Sequence, residues 1–255
     1  VRTLTNAFAA DRIHQAYIFT GVRGVGKTTT ARIVARALNY ELEDGSVTKP
    51  TIAMDRLGKH CEAIIDSRHV DVIEMDAASN TGVDNVREII EAVRYRPAYA
   101  RHKVYIVDEV HMLSNASFNA LLKTLEEPPE HVKFLFATTE IKKVPVTVLS
   151  RCQRFDLKRI ESGLMIRHLS AICAQEGIEA APEALALIAR AGEGSVRDSL
   201  SLLDQAIAHA AGATGGRVEA DQVRDMLGLA DRARVIDLFE SVMKGDVAAS
   251  LRELG

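Results

Sequence analysis

The stretch AYIFTGVRGVGKT, Ala16 to Thr28, decides the fold. Its first part, Ala16–Thr20, is a short apolar run of the kind that forms a buried strand. Its second part has the spacing Gly21-x-x-x-x-Gly26-Lys27-Thr28 and opens a segment with Ile33, Val34, Ala37 and Leu38 at helical spacing. A strand, a glycine loop and a helix in that order make a phosphate cradle. The glycines let the backbone curl so that successive N–H groups point at a β-phosphate, and the helix N-terminus adds its positive dipole. Gly21, Val22, Arg23, Gly24, Val25, Gly26, Lys27, Thr28 and Thr29 are therefore expected to hold ATP. Lys27 bridges the β- and γ-phosphates, and the Thr28 hydroxyl is a Mg2+ ligand. The plainer reading, a glycine-rich turn that merely packs a helix on a strand, is disfavoured by these flanking elements.

Outward from this loop, strand and helix patterns alternate. Val70–Asp76 alternates apolar and polar residues, as a half-buried strand does. Val83, Val86, Ile89, Ile90 and Val93 form one stripe of a helix that ends before Pro97. Val104–Val107 reads as a buried strand closed by two acids. Phe118, Leu121, Leu122 and Leu125 mark a helix capped by Ser114 or Asn115 and stopped by Pro128-Pro129. Val132–Thr138 is a further buried strand. This alternation predicts an α/β domain with a parallel sheet covered on both faces.

After Ile160 every segment reads helical: 162–176, 182–191 and 195–211, ending at Gly177, Gly192 and Gly212, whose positions suit C-terminal caps. The loop Ala213–Arg217 leads to a last helical stretch from Ala220.

Four further positions carry chemistry. VYIVDE, Val104–Glu109, ends an apolar strand in paired acids. Asp108 at the strand tip would orient a Mg2+-bound water, and Glu109 would polarise the attacking water as general base. Thr138 and Thr139, at the tip of the Val132 strand, either sense the γ-phosphate or simply cap a strand end. Arg151, with Arg154 nearby, either reaches the γ-phosphate of a neighbouring subunit or is a solvated charge. Arg197 lies in the first turn of a helix, where it works against the dipole and calls for a partner, a phosphate or a carboxylate such as Asp198.

The bulk numbers exclude several classes. With 255 residues, 47% hydrophobic and 26% charged, the chain has material for two or three cores of ordinary globular composition. No apolar run approaches a membrane span, and the start lacks a signal peptide's apolar stretch. Three widely spaced cysteines, Cys61, Cys152 and Cys173, are no disulfide framework, which points to a reducing cytoplasm. A net charge of −3 excludes a globally basic nucleic-acid coat but not a local basic track. The absence of Trp, with 5% aromatic residues, argues against a base-stacking platform. A start without Met and an end within a helical pattern suggest a piece of a longer protein.

With these residues in hand, the chain closely resembles the tau/gamma (DnaX) subunits of bacterial DNA polymerase III, the ATPases of the sliding-clamp loader. The likeness runs through HQAYIFTGVRGVGKTTTARIVARALN, VDVIEMDAASNTGVDNVREI, KVYIVDEVHMLSNASFNALLKTLEEPPEHVKFLFATTE, VPVTVLSRCQRFDLKRI and GSVRDSLSLLDQA. It implies a P-loop AAA+ nucleotide domain over 1–160, a helical lid over 161–222 and the beginning of a helical collar over 223–255. By the same likeness Lys27 and Thr28 belong to Walker A, Asp108 and Glu109 to Walker B, and Thr138 or Thr139 is sensor 1. Arg151 matches an arginine finger acting in trans, and Arg197 matches sensor 2. The implied role is to bind ATP with Mg2+ in a ring, load the sliding clamp onto primer–template DNA, and reset on hydrolysis, without itself polymerising. Implied partners are delta, delta-prime and further tau/gamma copies, and, through the full-length tail, the polymerase and helicase.

Three departures from the family qualify this. Its four zinc-binding cysteines correspond here to Tyr40, Asp55, Gly58 and Cys61, so no zinc is expected in a degenerate module at 40–68. Cys61 is a remnant, and Ile52, Met54 and Leu57 are expected to pack the module instead. The segment before the first helix, which helps hold adenine, is missing, so nucleotide affinity is expected to be weaker. The collar is only begun, so this fragment is expected to assemble poorly and turn over little ATP. The competing readings are a non-hydrolysing delta-prime-like subunit and another AAA+ remodeller. DNA contact, if local, would fall on Arg87, Arg94, Arg96, Arg101, His102 and Lys103, against the plainer reading of a solvated helix face.

Overall fold

The computed structural model describes residues 2–79, 83–211, 216–228 and 239–247, without the side chains of Asp84, Ala211 and Val83. Gly212 and most of the following loop, and much of the expected collar, lie outside the described residues. The described chain divides into two units, residues 1–158 and 159–255.

The first unit is built on strands β1 (Ala16–Thr20), β2 (Val72–Asp76), β3 (Lys103–Asp108), β4 (Val132–Thr138) and β5 (Gln153–Asp156), all parallel, in the order β2-β3-β4-β1-β5. β1 and β4 are buried at every residue, because helices cover both faces and leave no polar side for alternation. Successive side chains of β1 then feed two different cores. Ala16 and Ile18 join Tyr105, Val107, Phe134 and Phe136 beneath α4 (Val83–Ala92) and α5 (Asn115–Glu126). Tyr17 and Phe19 join Ile106 and Leu135 against α1 (Arg2–Ala9) and α2 (Lys27–Leu38). The α/β expectation holds, and Ser114 is the cap of α5, its side chain accepting from the Ser117 N–H.

Three local expectations need correction. The strand read from Val70 begins at Val72. Val70 is exposed, and the buried Asp71 leaves the alternation to accept backbone N–H groups from Ala98, Tyr99 and Ala100 at 2.7, 2.7 and 2.8 Å. Of the expected packing residues at 40–68, Met54 reaches the core but Ile52 and Leu57 are exposed. Buried Tyr40, His60, Cys61 and Ile64 fill that space instead, around α3 (Cys61–Ile65). Finally, two of the candidate DNA-contacting cations are engaged internally, and the backbone of a third candidate is held. Arg101 donates to the carbonyls of Leu38 and Tyr40, Lys103 donates to Ala92, and the His102 main chain is clasped from both sides by the Asn39 amide. Arg87, Arg94 and Arg96 are exposed.

The second unit contains α6 (Ser162–Gln175), α7 (Pro182–Ala191), α8 (Val196–Ala211) and α9 (Ala220–Met226) around a core including Met165, Leu169, Ala184, Ile188 and Leu203. Gly177 takes the left-handed conformation of a helix C-terminus, but Gly192, at φ −72°, does not. Gly192 serves close approach: a Cβ there would meet Ser199 Oγ at 2.0 Å.

Candidate active site

The loop between β1 and α2 is held open by its own backbone. Gly26 caps α2 at φ 93°, a conformation that L side chains rarely adopt, and no side chain accepts from the first-turn N–H groups. Those donors face the concave loop together with the helix dipole, so the residues present fit a nucleotide phosphate. Lys27 is 6% exposed and its Nζ donates to the Val22 carbonyl at 3.1 Å, so the cation lies folded into the loop. Burial lowers its pKa, while Glu109 and Asp108 act in the opposite direction. Gly21, Val22, Gly24, Gly26 and Thr28 are half-buried, Val25 is buried, and Arg23 and Thr29 are exposed.

β3 lies two strands from β1 in the sheet, yet its tip turns toward the loop. Thr28 Oγ1 donates to Asp108 Oδ2 at 2.5 Å. This places a hydroxyl and a carboxylate side by side, a hard-oxygen donor pair that fits Mg2+. Glu109 leaves the strand at φ 44°, an uncommon conformation for a residue with a side chain, and caps a 3-10 turn over Val110–Met112. Its Oε2 accepts from the Thr139 N–H at 3.1 Å and from Thr139 Oγ1 at 2.9 Å. Thr138 is fully buried at the tip of β4, and its Oγ1 accepts from the Glu140 N–H at 3.0 Å.

Sequence reasoning missed one residue of this group. The His111 side chain is 5% exposed, with Nδ1 2.9 Å from Thr138 Oγ1 and 3.3 Å from Glu109 Oε2, and Nε2 3.5 Å from Glu140 Oε1. Its one signal was position, two residues beyond Glu109 in the turn that leaves the strand tip.

One expected residue of the same unit, Arg151, is not brought to this cluster. Arg151 precedes β5, whose Gln153 sits opposite Tyr17 near the start of β1, and it borders a cleft with His14 and Gln15. The P-loop leaves the other end of β1. From Tyr17 to Thr20 alone the strand rises about 10 Å at roughly 3.3 Å per residue. Arg151 Nη2 pairs with Glu126 Oε1 at 2.5 Å, and Nη1 donates to the Thr147 carbonyl. Arg197 belongs to the second unit and is exposed, and its side chain forms no hydrogen bond or ion pair with Asp198.

The zinc-equivalent positions do not fit a metal. Tyr40 donates its hydroxyl to the Arg56 carbonyl at 2.8 Å, Gly58 has no side chain to offer, and Cys61 is buried beside His60. His60 Nδ1 instead pairs with His69 Nε2 at 2.9 Å.

Comparison with known families accounts for most of the chain. Residues 1–161 match the family described as DNA polymerase III, delta subunit. Residues 165–212 match the DNA polymerase III clamp loader subunit ATPase lid domain, and 218–255 match DNA polymerase III subunits gamma and tau domain III. The chain belongs to the DNA polymerase III clamp-loader subunits, of the tau/gamma type. It is 49% identical to DNA polymerase III subunit tau of Escherichia coli (strain K12), covering 95% of this chain and 36% of that protein. It is 46% identical to subunit tau/gamma of Haemophilus influenzae, covering 100% of this chain and 36% of that protein. Against subunit gamma of Buchnera aphidicola subsp. Acyrthosiphon pisum the identity is 43%, with coverages of 96% and 65%. The chain thus spans just over a third of the tau relatives. In fold, it superposes on the Thermotoga maritima RuvB Holliday junction branch migration motor with a TM-score of 0.62 at 15% identity, over 94% of this chain and 73% of that one. Clamp-loader membership and an AAA+ fold therefore agree. Among the described residues, no helix is long and apolar enough to cross a membrane.

Proposed function

We propose that this protein is the ATP-binding and ATP-hydrolysing subunit of the clamp loader, loading a sliding clamp onto primer–template DNA in the cytoplasm. The observation that carries this reading is the junction of Thr28 with Asp108, with Glu109 directly beyond it. A non-hydrolysing subunit has no use for a hydroxyl–carboxylate pair beside a general base.

In this reading the Gly21–Thr29 loop holds the phosphates, Lys27 stabilises charge between the β- and γ-phosphates, and Thr28 and Asp108 hold Mg2+. Bound Mg2+ supplies charge neutralisation on the phosphates. Glu109 accepts the proton of the attacking water, and Thr138 and Thr139 position that water and the Glu109 carboxylate. Arg151 works across a subunit interface, as its place at the opposite end of β1 from its own loop favours. Arg197, exposed and not paired with Asp198, is a γ-phosphate sensor. The division into a nucleotide domain over 1–160, a lid over 161–222 and a collar from 223 follows the same reading. Delta, delta-prime, further tau/gamma copies, the clamp and primed DNA are its partners.

The test uses the full-length protein assembled with its partner subunits. Lys27→Ala is expected to abolish ATP binding. Glu109→Gln is expected to keep binding and lower ATP turnover by about 100-fold or more, the usual loss on removing a general base. Unchanged ATP binding by the Lys27 variant would favour the non-hydrolysing, delta-prime-like role.

A further inference from the structure

We propose that His111 is a positioning residue for hydrolysis, its Nδ1 atom hydrogen-bonded to the Thr138 hydroxyl and packed 3.3 Å from the Glu109 carboxylate, so that the imidazole holds both in place. The inference rests on the reading of Glu109 as general base and adds to it a residue that the family-derived set of site residues lacks.

The geometry begins with the backbone. Glu109 turns out of β3 in the left-handed region, so its carboxylate is carried by a turn rather than by the strand. A side chain on a turn keeps several rotamers unless its neighbours select one. Thr139 supplies two donors, both to Oε2. His111 Nδ1 approaches that same oxygen at 3.3 Å and the Thr138 hydroxyl at 2.9 Å. One ring nitrogen therefore touches both the proposed base and the buried residue at the tip of the neighbouring strand. The far side of the ring is steadied by Glu140, whose carboxylate lies 3.5 Å from Nε2 and whose N–H closes on Thr138 Oγ1. With its side chain 5% exposed, the imidazole has little freedom to leave this position. Glu109 Oε1 takes no hydrogen bond among the described residues and is the oxygen left to face a water.

Asparagine and glutamine separate this idea from a merely structural role. The Asn amide nitrogen stands close to where Nδ1 stands, and the Gln amide nitrogen close to Nε2. His111→Asn can keep the contact with Thr138 and Glu109, whereas His111→Gln keeps the contact with Glu140. ATP turnover and ATP affinity are measured on the assembled complex of full-length subunits, for His111→Ala, →Asn and →Gln beside Glu109→Gln.

The expected result is a kcat about tenfold or more lower for Ala and Gln, substantial recovery with Asn, and unchanged ATP affinity throughout. Turnover by His111→Ala equal to wild type, or recovery by Gln as good as by Asn, overturns the proposal. So does a loss confined to KM. If the Ala variant fails to fold, the Asn–Gln comparison still decides. Full turnover by Glu109→Gln instead overturns the reading on which the inference rests, so the two failures are distinguishable.

Discussion

Thr28 and Asp108 meet at 2.5 Å across eighty positions of sequence, and this contact converts a phosphate loop into a candidate catalytic centre. In the proposed reading, the loop alone accounts for phosphate binding. In the same reading, the acid from β3 completes a cation site beside the loop and places Glu109 next to it.

Removing that acid should therefore separate metal-dependent from metal-independent binding. Asp108→Asn keeps the hydrogen bond acceptor for Thr28 but loses the charge. The expected outcome is ATP binding that no longer strengthens when Mg2+ is added, with turnover reduced about 100-fold or more. Calorimetric titration with and without Mg2+ checks it. A variant with wild-type Mg2+ dependence counts against this site.

Arg151 should act on a neighbour rather than on its own loop. The Arg151→Ala subunit is expected to bind ATP normally and to lower turnover only at the site of the adjacent subunit, by on the order of 1,000-fold. Complexes that combine one Arg151→Ala subunit with one Lys27→Ala subunit in defined positions report which site is silenced. Loss of turnover in the variant subunit's own site would contradict the geometry.

Asp71 is the anchor of the segment after α4. Its buried carboxylate accepts three backbone N–H groups. Burial raises its pKa, but the N–H groups of Ala100, Ala98 and Tyr99 outweigh burial, and the net shift is downward. A depressed carboxylate pKa contributes stability above the unfolded value of about 3.9 and loses it as pH falls through the folded value. Asp71→Asn should cost about 2 kcal/mol or more near neutral pH. Its stability should also fall less steeply than that of wild type in acid. Urea denaturation at both pH values checks each part.

His102 should make the fold acid-sensitive at milder pH. Burial lowers its pKa from 6.5 to about 4, reinforced by Lys133, Arg101 and His131 and opposed by Asp11. Above pH 6.5 the imidazole is neutral in both states and costs nothing. Between 6.5 and 4 the unfolded chain takes up a proton that the folded chain refuses, so stability falls with pH, by on the order of 2–3 kcal/mol. His102→Gln is expected to flatten the stability profile in that window. A variant as acid-sensitive as wild type would place the effect elsewhere.

Legibility in the sequence followed the range of the interaction. Lys27, Thr28, Asp108 and Glu109 were readable because each stands in a short run whose pattern reports its own backbone: loop and helix start, or strand and tip. The buried strands were readable for the same reason. At 40–68 the apolar residues Ile52 and Leu57 misled, because exposure depends on what lies opposite. The space was taken by Tyr40 and the His60–His69 pair. Arg101, His102 and Lys103 read as a basic track, yet neighbouring carbonyls and a buried amide hold them inward.

By itself the sequence determined the phosphate cradle, the alternation of strand and helix, and the acids at a strand tip. These depend on backbone conformation within about ten residues, which glycine spacing and apolar periodicity encode directly. The tertiary structure decided which tips meet. The order β3-β4-β1 brings Asp108 to Thr28, sets Thr139 on Glu109 with His111 between the strand tips, and sends Arg151 to the opposite end of the sheet from its own loop. Strand order is fixed by which faces can be buried together across the whole chain, and no local run of residues carries that information.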